Sequence, residues 1–129
     1  MNAAFATAAQ SLLGVRYRLH GRDAERGLDC VGLVAAALER AGYPAHAPHG
    51  YTMRQADCTP LLGFAARNGF DAVADAGDLV LIMANLIQPH LLVRVPGGFV
   101  HAHAGLRRVV LLPGASPWPI AHQWRLRTI

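Results

Sequence analysis

The chain has 129 residues, enough for one domain with a real core. Hydrophobic residues make up 53% and charged ones 16%, which excludes a disordered chain, and no apolar run approaches the roughly 20 residues that span a bilayer as a helix. The formal charge is +4 and all 12 basic side chains are arginine, scattered singly except for Arg107-Arg108, so the concentrated patch or motif expected of a nucleic-acid binder is missing.

Phe5, Ala8, Ala9, Leu12 and Leu13 fall on one helical face and predict a first helix over 2–13, stopped by Gly14. That stretch has no basic leader and no cleavage pattern, so it reads as a helix and not as an export signal, and the expectation is synthesis in the cytoplasm. An irregular segment over 15–29 carries Tyr17, His20 and Gly21. Leu33, Val34, Ala37, Leu38 and Ala41 then recur at helical spacing and predict a second helix over 30–41, with Gly42 as its stop. Pro44 and Pro48 discourage regular structure over 42–51. A third helix is expected over 59–68. After Gly69 the period becomes strand-like, with runs at 78–83, 91–95, 99–103 and 107–112 separated by Pro96-Gly97-Gly98 and Ala104-Gly105. A last strand follows the proline-rich stretch 113–119, within 121–129. Helices first and an antiparallel sheet of about five strands second predict a single α+β domain over 1–129.

Two cysteines without C-x-x-C spacing make neither a disulfide framework nor a zinc ribbon, and Cys58 sits in a loop-like stretch with no assigned role. Cys30 is different, because it stands where loop becomes helix. The unpaired N–H groups of a first helical turn favour thiolate over thiol, and thiolate is the nucleophile. From the cysteine alone, the plainer reading is a small buried residue at the start of a core helix.

A nucleophilic thiol needs a base, and the base needs a third group to orient it. Of seven histidines, His90 opens the second strand, while His101 and His103 alternate in the third and leave one face. If Gly97-Gly98 is a two-residue turn, His101 stands opposite Arg94 and His103 opposite Leu92, and both share the face of His90. His103 is then diagonal to His90 and the nearer of the two. His20, His46, His49 and His122 lie in loops or near the tail, where surface placement is the default. Three histidines with a water would also suit a zinc centre, a further alternative.

The ordered segments Gly14-Val15-Arg16-Tyr17, Asp29-Cys30-Val31-Gly32-Leu33-Val34, Gly77-Asp78-Leu79-Val80, His90-Leu91-Leu92-Val93-Arg94 and Phe99-Val100-His101-Ala102 span nearly the whole chain. Together they resemble the NlpC family of papain-like cysteine peptidases, which cut bacterial cell-wall peptides and show G-x-x-Y, D-C-S-G-L-V, G-D-L-V, H-V-G-I-Y and F-x-H-A in that order. The resemblance implies a papain-like fold and a hydrolase that needs no metal and no cofactor. Cys30 would be the nucleophile, His90 the general base and His101 the residue orienting it, with His103 in reserve for that role. Tyr17 would place its hydroxyl near the oxyanion, beside the Cys30 N–H, and Asp29 would help receive a substrate ammonium group. The implied substrate is the peptidoglycan stem peptide, cut between γ-D-glutamate and the diamino acid through an acyl-thioester. Val31 stands where the family has serine, Leu92 where it prefers glycine, and Leu19-His20 where it has an aromatic-glycine pair. Short relatives of this kind occur in phage-tail and gene-transfer particles, so proteins of such particles are implied partners and carriers to the wall, with no nucleic acid or membrane partner. A non-catalytic structural or wall-binding module of such an assembly is the alternative.

Overall fold

The computed structural model describes residues 1–47, 58–84 and 88–129; His49 lies outside them. The Asn2 side chain caps the first helix by accepting the Phe5 N–H at 3.1 Å, and α1 runs over Ala3–Gln10. It stops short of 13 because the Ser11 hydroxyl turns back to the Ala8 carbonyl at 2.6 Å, and Gly14 takes a φ of 88°. The segment expected to be irregular holds a small antiparallel ribbon, β1 (Arg22–Asp23) and β2 (Gly27–Leu28). Two further helices follow, α2 over Cys30–Arg40 and α3 over Thr59–Arg67, the latter with proline in its first turn.

Six strands form the main sheet: β3 (Phe70–Ala72), β4 (Leu79–Ala84), β5 (Gln88–Val95), β6 (Gly98–His103), β7 (Arg108–Pro113) and β8 (Ile120–Leu126). Their order is β3-β8-β4-β5-β6-β7, with every neighbouring pair antiparallel. This is the α+β arrangement the sequence implied, with one strand more than expected. The addition is β3, too short at three residues to display alternation.

Alternation in β4 and β5 sends Leu79, Leu81, Leu91 and Val93 to one face, where they join Phe5, Leu12, Leu33, Val34 and Leu38 from α1, α2 and the turn after α1 in the main core. Each fully buried leucine or phenylalanine there contributes about 1.5–3 kcal/mol relative to exposure. The other face carries a smaller apolar cluster of Val80, Ile82, Leu92 and Phe99, with Trp118 and Ile120 packed against it. A buried carboxylate ties the ends of this assembly together: Asp78 accepts the Asn2 N–H at 2.7 Å and the Leu126 N–H at 2.9 Å.

One expectation about register is corrected. Val95 pairs with Gly98, Arg94 with Phe99 and Val93 with Val100, so the turn is Pro96-Gly97 and not Gly97-Gly98. Proline sets φ at the first turn position and Gly97, at 83°, supplies the positive φ the second requires. His101 therefore does not stand opposite Arg94. The slip is two residues, an even number, so the histidines keep their face.

Candidate active site

Asp29 begins the site. As the N-cap of α2 it accepts the Gly32 N–H at 2.8 Å, and it also takes the His20 N–H at 2.8 Å and the Arg22 guanidinium at 2.9 Å. Its side chain is fully buried, and the ion pair with Arg22 joins α2 to β1. The resemblance implies a substrate ammonium as a partner of Asp29; in the structure this carboxylate already accepts from three protein donors. Two glycines complete the junction. A Cβ on Gly32 would land on the Gly21 carbonyl oxygen, and one on Gly21 would land on the Gly27 carbonyl. The loop after Tyr17 and the first turn of α2 thus meet backbone to backbone.

This junction delivers Cys30 to a fork in the sheet. The ladder between β5 and β6 ends at Val93 and Val100. The Arg94 N–H points to the β4 side, where it bonds the carbonyl of Asp78, the residue before that strand, at 2.9 Å, so N–H groups at odd positions of β5 point toward β6. Leu91 is one of these, beyond the end of the ladder, and its N–H is near enough to Cys30 to favour the thiolate. The sulfur therefore sits where the two histidine-bearing strands separate. His90, on β5, has its ring centroid 6.2 Å from that of His101, on β6, nearly edge-on at 83°. The His101 ring in turn lies 5.3 Å from His103. His101 is thus in contact with the other two rings, and the even register slip accounts for all three sharing one face.

His90, His101 and His103 line an open pocket of about 200 Å³ with Ile82, Gln88 and Trp118. Nδ1 of His90 and Nδ1 of His101 are buried without a hydrogen-bond partner among the described residues, an arrangement that native structures rarely leave unexplained. His103 differs: its Nδ1 accepts the Leu106 N–H at 3.0 Å, which places the proton of the neutral ring on Nε2. Among the described residues no three His, Cys, Asp or Glu side chains are placed to hold a metal ion, so the trio forms a wall and not a ligand shell.

The electrostatics correct the expected thiolate. Cys30 has no exposed surface, and burial, followed by the neighbouring Asp29 charge, pushes its thiol up to about 12. The N–H groups of Leu91 and Val31 and the Arg22 charge pull the other way and lose. Desolvation of one sulfur outweighs a helix terminus, whose effect is a fraction of a charge. Burial likewise lowers His90, and lowers His101 to about 4, with the neighbouring imidazoles adding to both effects. At neutral pH these directions leave the Cys30 thiol and the His90 and His101 rings uncharged. Tyr17 is also raised, to about 12, by burial first and then by Cys30 and Asp29, which keeps its hydroxyl a proton donor in the vicinity of the sulfur.

A labelling experiment checks this charge state. Iodoacetamide at pH 7.5 is expected to modify the partly exposed Cys58 first, with Cys30 at least about a hundredfold slower, its rate climbing about tenfold per pH unit as thiolate forms. Rapid labelling of Cys30 at neutral pH, located by peptide mass mapping, would contradict the neutral pair.

The structure thus brings Cys30, Tyr17, His90, His101 and His103 into one region and turns Asp29 inward. His20 serves the site through its backbone N–H on Asp29, with φ at 59°. His46 is pinned elsewhere by Asn68, and His122 stacks on Trp124. Sequence reasoning missed Arg22, the ion-pair partner of Asp29; its spacing from Asp29 carried no signal. It also missed Trp118, read only as part of a proline-rich stretch.

No protein-family model matches the sequence, and no curated protein does. Solved structures do resemble the fold. NlpC1 from Trichomonas vaginalis superposes with a TM-score of 0.66 at 23% identity, over 95% of this chain and 42% of that one. The NlpC/p60 domain of the peptidoglycan hydrolase SagA gives 0.57 at 24% identity, over 88% and 89%. A protein of Staphylococcus aureus subsp. aureus Mu50, described as similar to lipoprotein and of the NLP/P60 family, gives 0.63 at 18% identity, over 97% and 41%. The chain spans about two fifths of the length of the Trichomonas and Staphylococcus proteins. At these identities the likeness is one of architecture: the chain has the NlpC/p60 fold.

Proposed function

We propose that this chain is a cysteine peptidase that hydrolyses peptidoglycan stem peptides, with Cys30 as nucleophile, His90 as general base and His101 as the group that orients it. The observation that carries the reading is the fork: the Leu91 N–H, one residue beyond His90, acts on the sulfur at the start of α2 where the ladder between β5 and β6 ends. The SagA domain, described as part of a peptidoglycan hydrolase, supports the substrate class. Because the resting pair is neutral, attack and proton transfer are coupled. His90 takes the thiol proton as the sulfur bonds to the carbonyl carbon, and the imidazolium then protonates the departing amine. Water, deprotonated by His90, cleaves the resulting acyl-thioester. Tyr17, kept protonated, and the Cys30 N–H donate to the developing oxyanion. The reading requires substrate binding to uncover the sulfur. The scissile bond within it is the amide from γ-D-glutamate to the diamino acid, and delivery is by a phage-tail or gene-transfer particle.

Defined stem peptides incubated with the protein should yield two fragments whose masses place a single cut at that amide. A cut elsewhere would reassign the bond, and intact peptide and intact wall would remove the activity. The full burial and raised pKa of Cys30 favour one other reading, a wall-binding module with an idle thiol. That module would bind purified wall and release nothing from it.

A further inference from the structure

A second site lies outside the histidine face. Arg16 and Arg108 face each other across an antiparallel β-bridge. The backbone fixes that pairing: the Val109 N–H reaches the Val15 carbonyl at 2.8 Å, and the Tyr17 N–H reaches the Arg107 carbonyl at 2.9 Å. Directly opposed residues of like charge repel, and Arg107 adds a third guanidinium from a backbone held at a φ of 60°, a region that disfavours side chains of its size. Arg22, Arg40 and Arg94 have internal partners in Asp29, Ser11 and the Gly77 carbonyl. Among the described residues no such partner is found for Arg16, Arg107 or Arg108. All three are exposed, around a groove of about 400 Å³ that holds a single carboxylate, Glu25. Two local costs are thus borne at one place with no compensation inside the fold.

We propose that this groove binds a phosphate-bearing polyanion, held by Arg16, Arg107 and Arg108. One arginine fork satisfies both oxygens of a carboxylate, whereas a phosphate offers further acceptor oxygens and can bridge forks, which suits three guanidiniums converging past one acid. The site is independent of the peptidase reading, since it uses none of the histidines, Cys30 or the Tyr17 hydroxyl.

Titration of the full chain with inorganic tripolyphosphate, followed by amide chemical shifts, tests it. Saturable shifts are expected at residues 14–17 and 107–109. An Arg107→Gly/Arg108→Ala double variant should bind about tenfold more weakly, with Arg125→Ala, on exposed β8 surface, binding as the parent does. Arg107→Gly alone relieves the backbone, so it should melt no lower than the parent while binding more weakly, which separates lost affinity from lost fold. No saturable binding, or binding indifferent to the double variant, overturns the site. Hexaglutamate is expected to bind several-fold more weakly than tripolyphosphate; equal affinity overturns the phosphate assignment.

Discussion

Cys30→Ala is expected to lower the release of new amino termini from purified cell wall by about 10⁴-fold or more, and His90→Ala by a similar factor. The double variant should be scarcely worse than either, because nucleophile and base act as a unit. The fold should survive the first change, since Cys30→Ala removes one sulfur atom from a packed site and costs about 1 kcal/mol. Circular dichroism melts recorded on the same samples check that point. Tyr17→Phe should fall by a smaller factor of about 10²–10³, the usual loss for one oxyanion donor. The acid limb of the rate profile follows from the direction of the shift on His90. Its lowered pKa keeps the imidazole neutral, and hence basic, to more acidic pH than an exposed histidine would allow. A wild-type protein as inactive as Cys30→Ala would leave only the wall-binding reading.

Asp29→Ala is expected to be the most destabilising single change. It strips the N-cap of α2, orphans the His20 N–H and leaves the Arg22 guanidinium without its carboxylate. Breaking a buried ion pair from one side costs about 3–5 kcal/mol. That is a large part of a typical stability of about 5–15 kcal/mol, and the thermal midpoint should fall by more than about 10 °C. Asp29→Asn retains an acceptor for the cap and should lose about half as much. If the carboxylate served only a substrate ammonium, both variants would melt as the parent does and raise KM instead.

Much of this fold was legible where local and tertiary preferences agree. The α2 stripe is apolar every three or four residues, and Gly42 ends the signal. The strand run 78–83 is displaced from β4 by one residue at each end, and 99–103 differs from β6 by one residue at its start. The histidine face was legible because side-chain alternation survives an even register error. The error itself arose at Pro96-Gly97-Gly98, where either glycine could serve the turn; Gly98 is instead packed so closely on the Leu112 carbonyl that no Cβ fits. Burial was not legible. Nothing around Cys30 in sequence says that desolvation will outweigh the helix terminus, and nothing marks Asp29 as facing inward, because both follow from what 17–22 does in three dimensions. The pairing of Arg16 with Arg108 joins segments 92 positions apart by number and leaves no local trace.

The bare-backbone contact of Gly32 with Gly21 has a consequence for selectivity. On the proposed reading, a nucleophile and an oxyanion donor joined by such a seam move as one unit and resist separating to suit one peptide or another. Exposure of the sulfur then has to come from the groups packed around the seam, and discrimination among substrates falls to the imidazoles and the indole of the histidine pocket, ordinary side chains that can be exchanged without disturbing the frame.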